Sequence, residues 1–265
     1  MKTLIILIPG NPSVPGIYDP FLNQVVQDLN LSGEVISKIL PHLGQSNTRS
    51  MKLEKVTVQD VIVDHERTIN ELIEGHAPEQ IFLIGHSLGS AVTISLYREF
   101  SSKIDKFIVI CPFLGPSPNN TRYLKMFANP ITRLGMKGIT YSGLKIPKVS
   151  HQIFKKWLGE NPFNEHIPSE ISKPYYIKNF FSLVSHYFSD FEELNIKGRV
   201  QEMDPRKAFF VFAPNDYWVP DNTIEFLPNE ASFQHCHDIS HDFCLRESQY
   251  QSVSKAISDH IKNAI

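Results

Sequence analysis

The sequence predicts an α/β fold in which a mostly parallel sheet is flanked by helices and carries a helical insertion. Three observations predict it. Short apolar runs alternate with stretches whose apolar residues recur every three or four positions, up to Pro112 and again from Ala208. Strands alternating with helices in this way pair in parallel. Apolar residues are 42% of the 265 and charged residues 20%, the balance of a chain with a packed core. Between the two regular regions, residues 113–201 are too rich in aromatics and proline for a linker and read as helices set above the sheet edge.

Each element follows from its pattern. Leu4–Ile8 is an unbroken apolar run, the signature of a buried strand, and it ends at Pro9-Gly10-Asn11-Pro12. Phe21, Leu22, Val25, Val26 and Leu29 share one helical face. Glu34–Leu40 is a second strand, stopped by Pro41. Val58, Val61, Ile62, His65, Ile69, Leu72 and Ile73 form another helical face, closed near Gly75 and Pro78. Ile81–Ile84 is a strand, and Leu88, Ala91, Val92, Ser95 and Leu96 continue as a helix. Phe107–Ile110, Ala208–Ala213 and Ser232–Cys236 are further strands, and Leu245, Val253, Ile257 and Ile261 line a terminal helix.

Composition excludes several classes of function. Lys and Arg number 26 against 28 Asp and Glu, a net charge of −2. Such a balance offers no footprint for nucleic acid. Cys111, Cys236 and Cys244 are too few and too scattered for a disulfide framework, and their odd number fits a reducing, cytoplasmic setting. Leu4–Ile8 is too short for a signal peptide, and no apolar run is long enough to span a bilayer.

The chemistry gathers on a serine. Gly85-His86-Ser87-Leu88-Gly89 places Ser87 between a strand and a helix, where a very sharp turn exposes its hydroxyl and side chains two positions either side would collide. A serine hydroxyl is a weak nucleophile until a base takes its proton. On this arrangement the partners follow in the order acid, then histidine. Asp216 lies in the loop after Ala208–Ala213, and His241 in the loop before the terminal helix. Among the alternatives, Asp221 marks a helix start and suits capping. Asp238 and Asp242 are too near His241 in sequence to reach it across the sheet. His235 and His237 share one strand face as packing or surface residues. A tetrahedral intermediate needs two backbone N–H donors. Leu88 supplies one. Asn11 supplies the other, because Pro9 and Pro12 have no N–H to give.

Ile8-Pro9-Gly10-Asn11-Pro12, Asp64-His65, Gly85-His86-Ser87-Leu88-Gly89-Ser90, Ser117-Pro118-Asn119-Asn120 and Asp216-Tyr217-Trp218-Val219-Pro220 occur in this order. Together they resemble the lipid droplet-associated hydrolase family, within the α/β-hydrolase superfamily. The resemblance implies the α/β-hydrolase fold, with Ser87 as nucleophile, Asp216 as acid, His241 as base and Gly10-Asn11 as oxyanion turn. Ser13 stands where the family's turn continues with glycine, so a different loop shape is expected. Strands common ahead of the oxyanion strand in the superfamily are expected to be missing.

The remaining signals are weaker. His235, His237, His241 and Cys244 are spaced like a metal cluster, but His241 is already the expected base, and no metal is expected. Cys111 reads as a buried apolar residue, and Met126 and Met136 as core or pocket filler. His42 reads as a hydrogen-bonded loop residue, and His86 as a pocket wall with an idle side chain. The expectation is a single α/β-hydrolase domain over 1–265 with a cap over about 113–201. It is a serine hydrolase of carboxylic esters, of acylglycerol or sterol-ester type, that needs no cofactor. The phenylalanines and tyrosines of the cap suit an apolar acyl or sterol group, or build the cap's own small core. Expected partners are a lipid ester and, peripherally, a lipid droplet or membrane surface. Two other readings use the same residues: a thioesterase or other acyl hydrolase, and a lipid-binding protein with weak or no catalysis.

Overall fold

A computed structural model describes residues 1–45, 55–132, 134–135, 171 and 174–263. In chain order the elements are β1 (Lys2–Ile8), α1 (Pro15–Leu29), β2 (Glu34–Ile39), α2 (Val58–His76), β3 (Gln80–His86), α3 (Leu88–Phe100), β4 (Lys106–Ile110), α4 (Pro118–Ala128), α5 (Pro174–Ser185), α6 (Tyr187–Leu194), α7 (Ile196–Val200), β5 (Ala208–Phe212), β6 (Ser232–His235) and α8 (Glu247–Asn263). The six strands form one parallel sheet in the order β2-β1-β3-β4-β5-β6.

Burial explains why the apolar runs read so clearly. β1, β3, β4 and β5 are covered on both faces, and residues such as Leu4, Ile6, Leu83, Val109 and Phe210 are fully buried. The two edge strands, β2 and β6, are half exposed. The strands begin a little earlier than apolarity suggests, because Lys2, Gln80 and Lys106 join the ladder by their backbones. Leu245 falls in a short 3₁₀ turn, Phe243–Leu245, rather than in α8. Arg246 breaks the helical path there, in extended backbone.

The helices are capped as their sequences suggest. α1 opens with Pro15 in its first turn and closes at Asn30 in the left-handed region, φ 48°. α2 opens with a reciprocal capping box, in which Thr57 and Asp60 each satisfy the other's backbone N–H. Right-handed crossovers put α1 on one face of the sheet and α2 and α3 on the other. α8 packs along α1, and Ser254 Oγ donates to Asp28 Oδ2 at 2.6 Å across that seam.

The chain between β4 and β5 contributes α4 to α7. Phe181, Tyr187 and Phe191 are buried there, while Met126, expected as filler, is 43% exposed. Met136, Phe154, Trp157 and Phe163 lie outside the described residues, as do the side chains of Tyr123 and Phe127. Two hydrogen bonds tie this segment to the start of α2. Val58 N–H donates to Asp190 Oδ2 at 2.8 Å, and Val56 N–H to Ser182 Oγ at 3.0 Å. Among the described residues, no helix is long and apolar enough to cross a membrane.

Candidate active site

Strand order reverses direction at β1, which lies between β2 and β3. Loops at the carboxyl ends of strands on either side of such a point enclose a crevice. The register pairs Ile8 with Gly85, so the turn after β1 and the serine after β3 emerge side by side.

Ser87 occupies φ 54°, ψ −115°, a strained conformation for a residue with a side chain. Its surroundings hold it there. Ser87 N–H donates to the Ile110 carbonyl at 3.0 Å, and Ser90 Oγ ties the Gly85 and Ile110 carbonyls at 2.8 and 2.9 Å. A Cβ on Gly89 would strike the Ile8 carbonyl, and one on Gly85 would strike Gly89 and Thr93. Both glycines are therefore required by close approach.

The structure brings the predicted residues together. Ser87 Oγ lies 2.9 Å from His241 Nε2, and His241 Nδ1 lies 2.7 Å from Asp216 Oδ2. Asp216 is buried, and its other oxygen accepts the N–H groups of Trp218 (2.8 Å) and Val219 (3.3 Å), which closes the loop after β5. Two of the alternative carboxylates are engaged elsewhere. Asp242 accepts from Ser240 at 2.6 Å, Asp238 bonds Ser252, and Asp221 begins a 3₁₀ turn with Pro220 at its cap position. His235 and His237 are exposed, their rings stacked 6.2 Å apart.

Asn11 and Leu88 line the same cavity as Ser87. Leu88 is the first residue of α3, so its N–H has no intrahelical acceptor. Gly10 N–H donates to Tyr18 Oη at 2.9 Å, whereas among the described residues Asn11 N–H has no acceptor. Ser13, the departure from the family pattern, is used structurally. Its Oγ accepts His42 N–H and its N–H donates to Gln45 Oε1, both at 2.9 Å. His42 is buried as a loop residue, with Nδ1 3.2 Å from His65 Nε2.

His86 corrects an expectation, because its side chain is not idle. Nδ1 is 2.7 Å from Tyr18 Oη and Nε2 is 2.8 Å from the His241 carbonyl. A carbonyl only accepts, so Nε2 carries the hydrogen and Nδ1 accepts from Tyr18. Tyr18 can do this because its oxygen already receives Gly10 N–H. A directed chain thus runs from the turn after β1, through Tyr18 and His86, to the backbone of His241. Burial, and then the neighbouring His241 ring, holds His86 well below the usual imidazole range, so the ring stays neutral.

Sequence reasoning missed Tyr18, Gln45 and Tyr187. Gln45 Nε2 donates to Asn11 Oδ1 at 3.0 Å, and Asn11 Nδ2 to Tyr187 Oη at 2.8 Å. No motif marks these residues. The signal lies in three-dimensional proximity, across 176 positions for Asn11 and Tyr187.

Cys111 is fully buried beside Asp216, and burial, then that carboxylate, pushes its thiol well up, as expected of an inert cysteine. Side-chain donors of His86, Cys111 and His241 come within 4.8 Å of one another. Both nitrogens of each ring are already hydrogen bonded, so a metal there would have to break the network just described. The cavity is about 350 Å³. Its polar groups gather around Ser87, and Leu124, Phe180, Val184, Trp218 and Leu245 supply apolar wall.

An open parallel sheet flanked by helices, with a serine on a strained turn after its third strand in the chain, defines an α/β hydrolase. Solved structures share the fold at low identity. The 2-hydroxy-6-oxo-6-phenylhexa-2,4-dienoate hydrolase of Rhodococcus sp. strain RHA1 matches at 15% identity and TM-score 0.70, over 98% of this chain and 91% of that one. The peroxisomal α/β-hydrolase Lpx1 of Saccharomyces cerevisiae matches at 12% and 0.67, over 99% and 77%. An acetylester hydrolase of Corynebacterium glutamicum matches at 16% and 0.64, over 98% and 86%. No curated protein matches the sequence. The model of the lipid-droplet associated hydrolase family matches residues 1–244, and the chain belongs to that family.

Proposed function

We propose that this hydrolase cleaves carboxylic esters of lipids through a Ser87–His241–Asp216 triad. The reading rests on one observation, the pair of hydrogen bonds that joins Ser87 Oγ to His241 Nε2 and His241 Nδ1 to Asp216. Ser87 Oγ adds to the ester carbonyl as its proton passes to His241 Nε2. Asp216 holds the imidazole in orientation and stabilises its charged form. The carbonyl oxygen becomes an oxyanion held by the N–H groups of Asn11 and Leu88. His241 then gives its proton to the departing alkoxide, which leaves an acyl-Ser87 ester. Water repeats the sequence: His241 takes its proton, and the acid departs as Ser87 recovers its hydrogen.

Family membership and the apolar wall favour a lipid ester. The cavity of about 350 Å³ beside Ser87 offers that apolar wall to one end of such an ester. The segment over 113–201 serves as the cap of a single domain, and its exposed Ile131 and Leu134 suit peripheral docking on a lipid droplet or membrane from the cytoplasmic side.

The test is fluorophosphonate labelling, with the modified residue located by mass spectrometry. Labelling confined to Ser87, and lost together with ester turnover in Ser87→Ala, is expected. Turnover that survives Ser87→Ala refutes the reading.

A further inference from the structure

Tyr187 begins α6 and is only 5% exposed. Its ring packs on Phe113, with centroids 5.5 Å apart, and Phe113 N–H donates to the Ser87 carbonyl at 3.3 Å. Its hydroxyl rests on the Asn11 amide at 2.8 Å. The phenol thus reaches from the loop behind Ser87 to the turn after β1, and it lines the cavity that holds Ser87 and His241.

The direction of its hydrogen bond follows from a group that cannot be reversed. Ser13 N–H only donates, so the Gln45 atom it meets is the amide oxygen. Gln45 then turns its NH₂ to Asn11, whose oxygen accepts. Asn11 in turn presents its own NH₂ to Tyr187, whose oxygen accepts. The phenolic hydrogen is left over, and among the described residues no acceptor meets it. Burial holds Tyr187 well above the ordinary tyrosine range, so the hydrogen stays in place. A buried donor without an acceptor is costly, and the cavity's occupant is the group left to satisfy it.

We propose that the Tyr187 hydroxyl is a third donor to the reacting oxygen, beside the N–H groups of Asn11 and Leu88. The proposal rests on the serine-hydrolase reading above. When Ser87 Oγ adds to the carbonyl carbon, the C=O electron pair moves onto oxygen, and the phenol hydrogen bonds to that charge. No proton is transferred. The bond weakens again as the C=O re-forms and the alkoxide departs. A donor that tightens only on the developing charge raises kcat and leaves KM nearly unchanged.

Tyr187→Phe keeps the ring and its packing on Phe113. With p-nitrophenyl butyrate, kcat is expected to fall about 100-fold with KM within about twofold of wild type. Gln45→Glu at pH 8 tests the same hydrogen without touching Tyr187. A carboxylate cannot donate to Asn11, so the Asn11 amide reverses, its oxygen captures the phenol hydrogen, and the same loss of kcat is expected. Circular dichroism melts of both variants check that they fold. Wild-type kcat in Tyr187→Phe, or a change confined to KM, overturns the role. Ser87→Ala, assayed beside them, separates the two failures. Turnover retained there sinks the serine reading and this role with it, whereas a dead Ser87→Ala beside a fully active Tyr187→Phe sinks this role alone.

Discussion

His86 fastens the residue before the nucleophile to the backbone of the proposed base. His86→Ala removes that link and leaves Tyr18 without its acceptor. Displacing a catalytic group by even an ångström is costly, so kcat is expected to fall between about 10- and 100-fold in steady-state ester kinetics, with KM little changed. Gly89→Ala is a harsher change, because its Cβ meets the Ile8 carbonyl where backbone cannot yield. The variant is expected to fail to accumulate as folded protein, read by soluble yield and circular dichroism. Ser87, Asp216 and His241 were legible in the sequence because each sits at a loop whose chemistry has few tenants. Tyr18, Gln45 and Tyr187 were not. Their value lies in who donates to whom, and that relation does not exist until the chain has folded.

Among the elements, legibility tracks burial. β1, β3, β4 and β5 read from their apolar runs because helices cover both their faces. Their first residues did not, since a ladder needs only backbone and accepts Lys2 or Lys106. The helices between β4 and β5 could be placed as a group but not bounded individually, because their aromatics face both the cavity and one another: Phe180 lines the cavity, and Phe113 stacks edge-on with Phe191 at 5.0 Å. Beside its buried aromatics, α6 is docked by a polar contact distant in sequence, the bond from Val58 N–H to Asp190. Asp190→Ala leaves that N–H unpaired and is expected to cost about 1–3 kcal/mol. Urea unfolding measures this, and limited proteolysis is expected to reach the chain between β4 and β5 sooner than in wild type.

At the scale of the whole molecule, two of the histidines buried among the described residues contribute a response to acid. Burial is the main cause that depresses both His42 and His86, so the unfolded chain takes up protons near pH 6.5 that the folded chain refuses. Their contribution to stability is complete above that pH and is lost as pH falls below it. The loss is roughly 1 kcal/mol per pH unit for each histidine. Urea melts at pH 8 and pH 5.5 are expected to differ accordingly, and His42→Gln to flatten the difference. The link between His86 and the His241 carbonyl also bears on synthesis. Ser87 leaves the ribosome 154 residues ahead of His241. Until the loop before α8 docks, the His86 Nε2–H has no acceptor and the serine has no imidazole beside it. With the proposed triad, a nascent or prematurely terminated chain therefore carries an unarmed hydroxyl, and Ser87 gains its partner only once the segment bearing His241 has been made and docked.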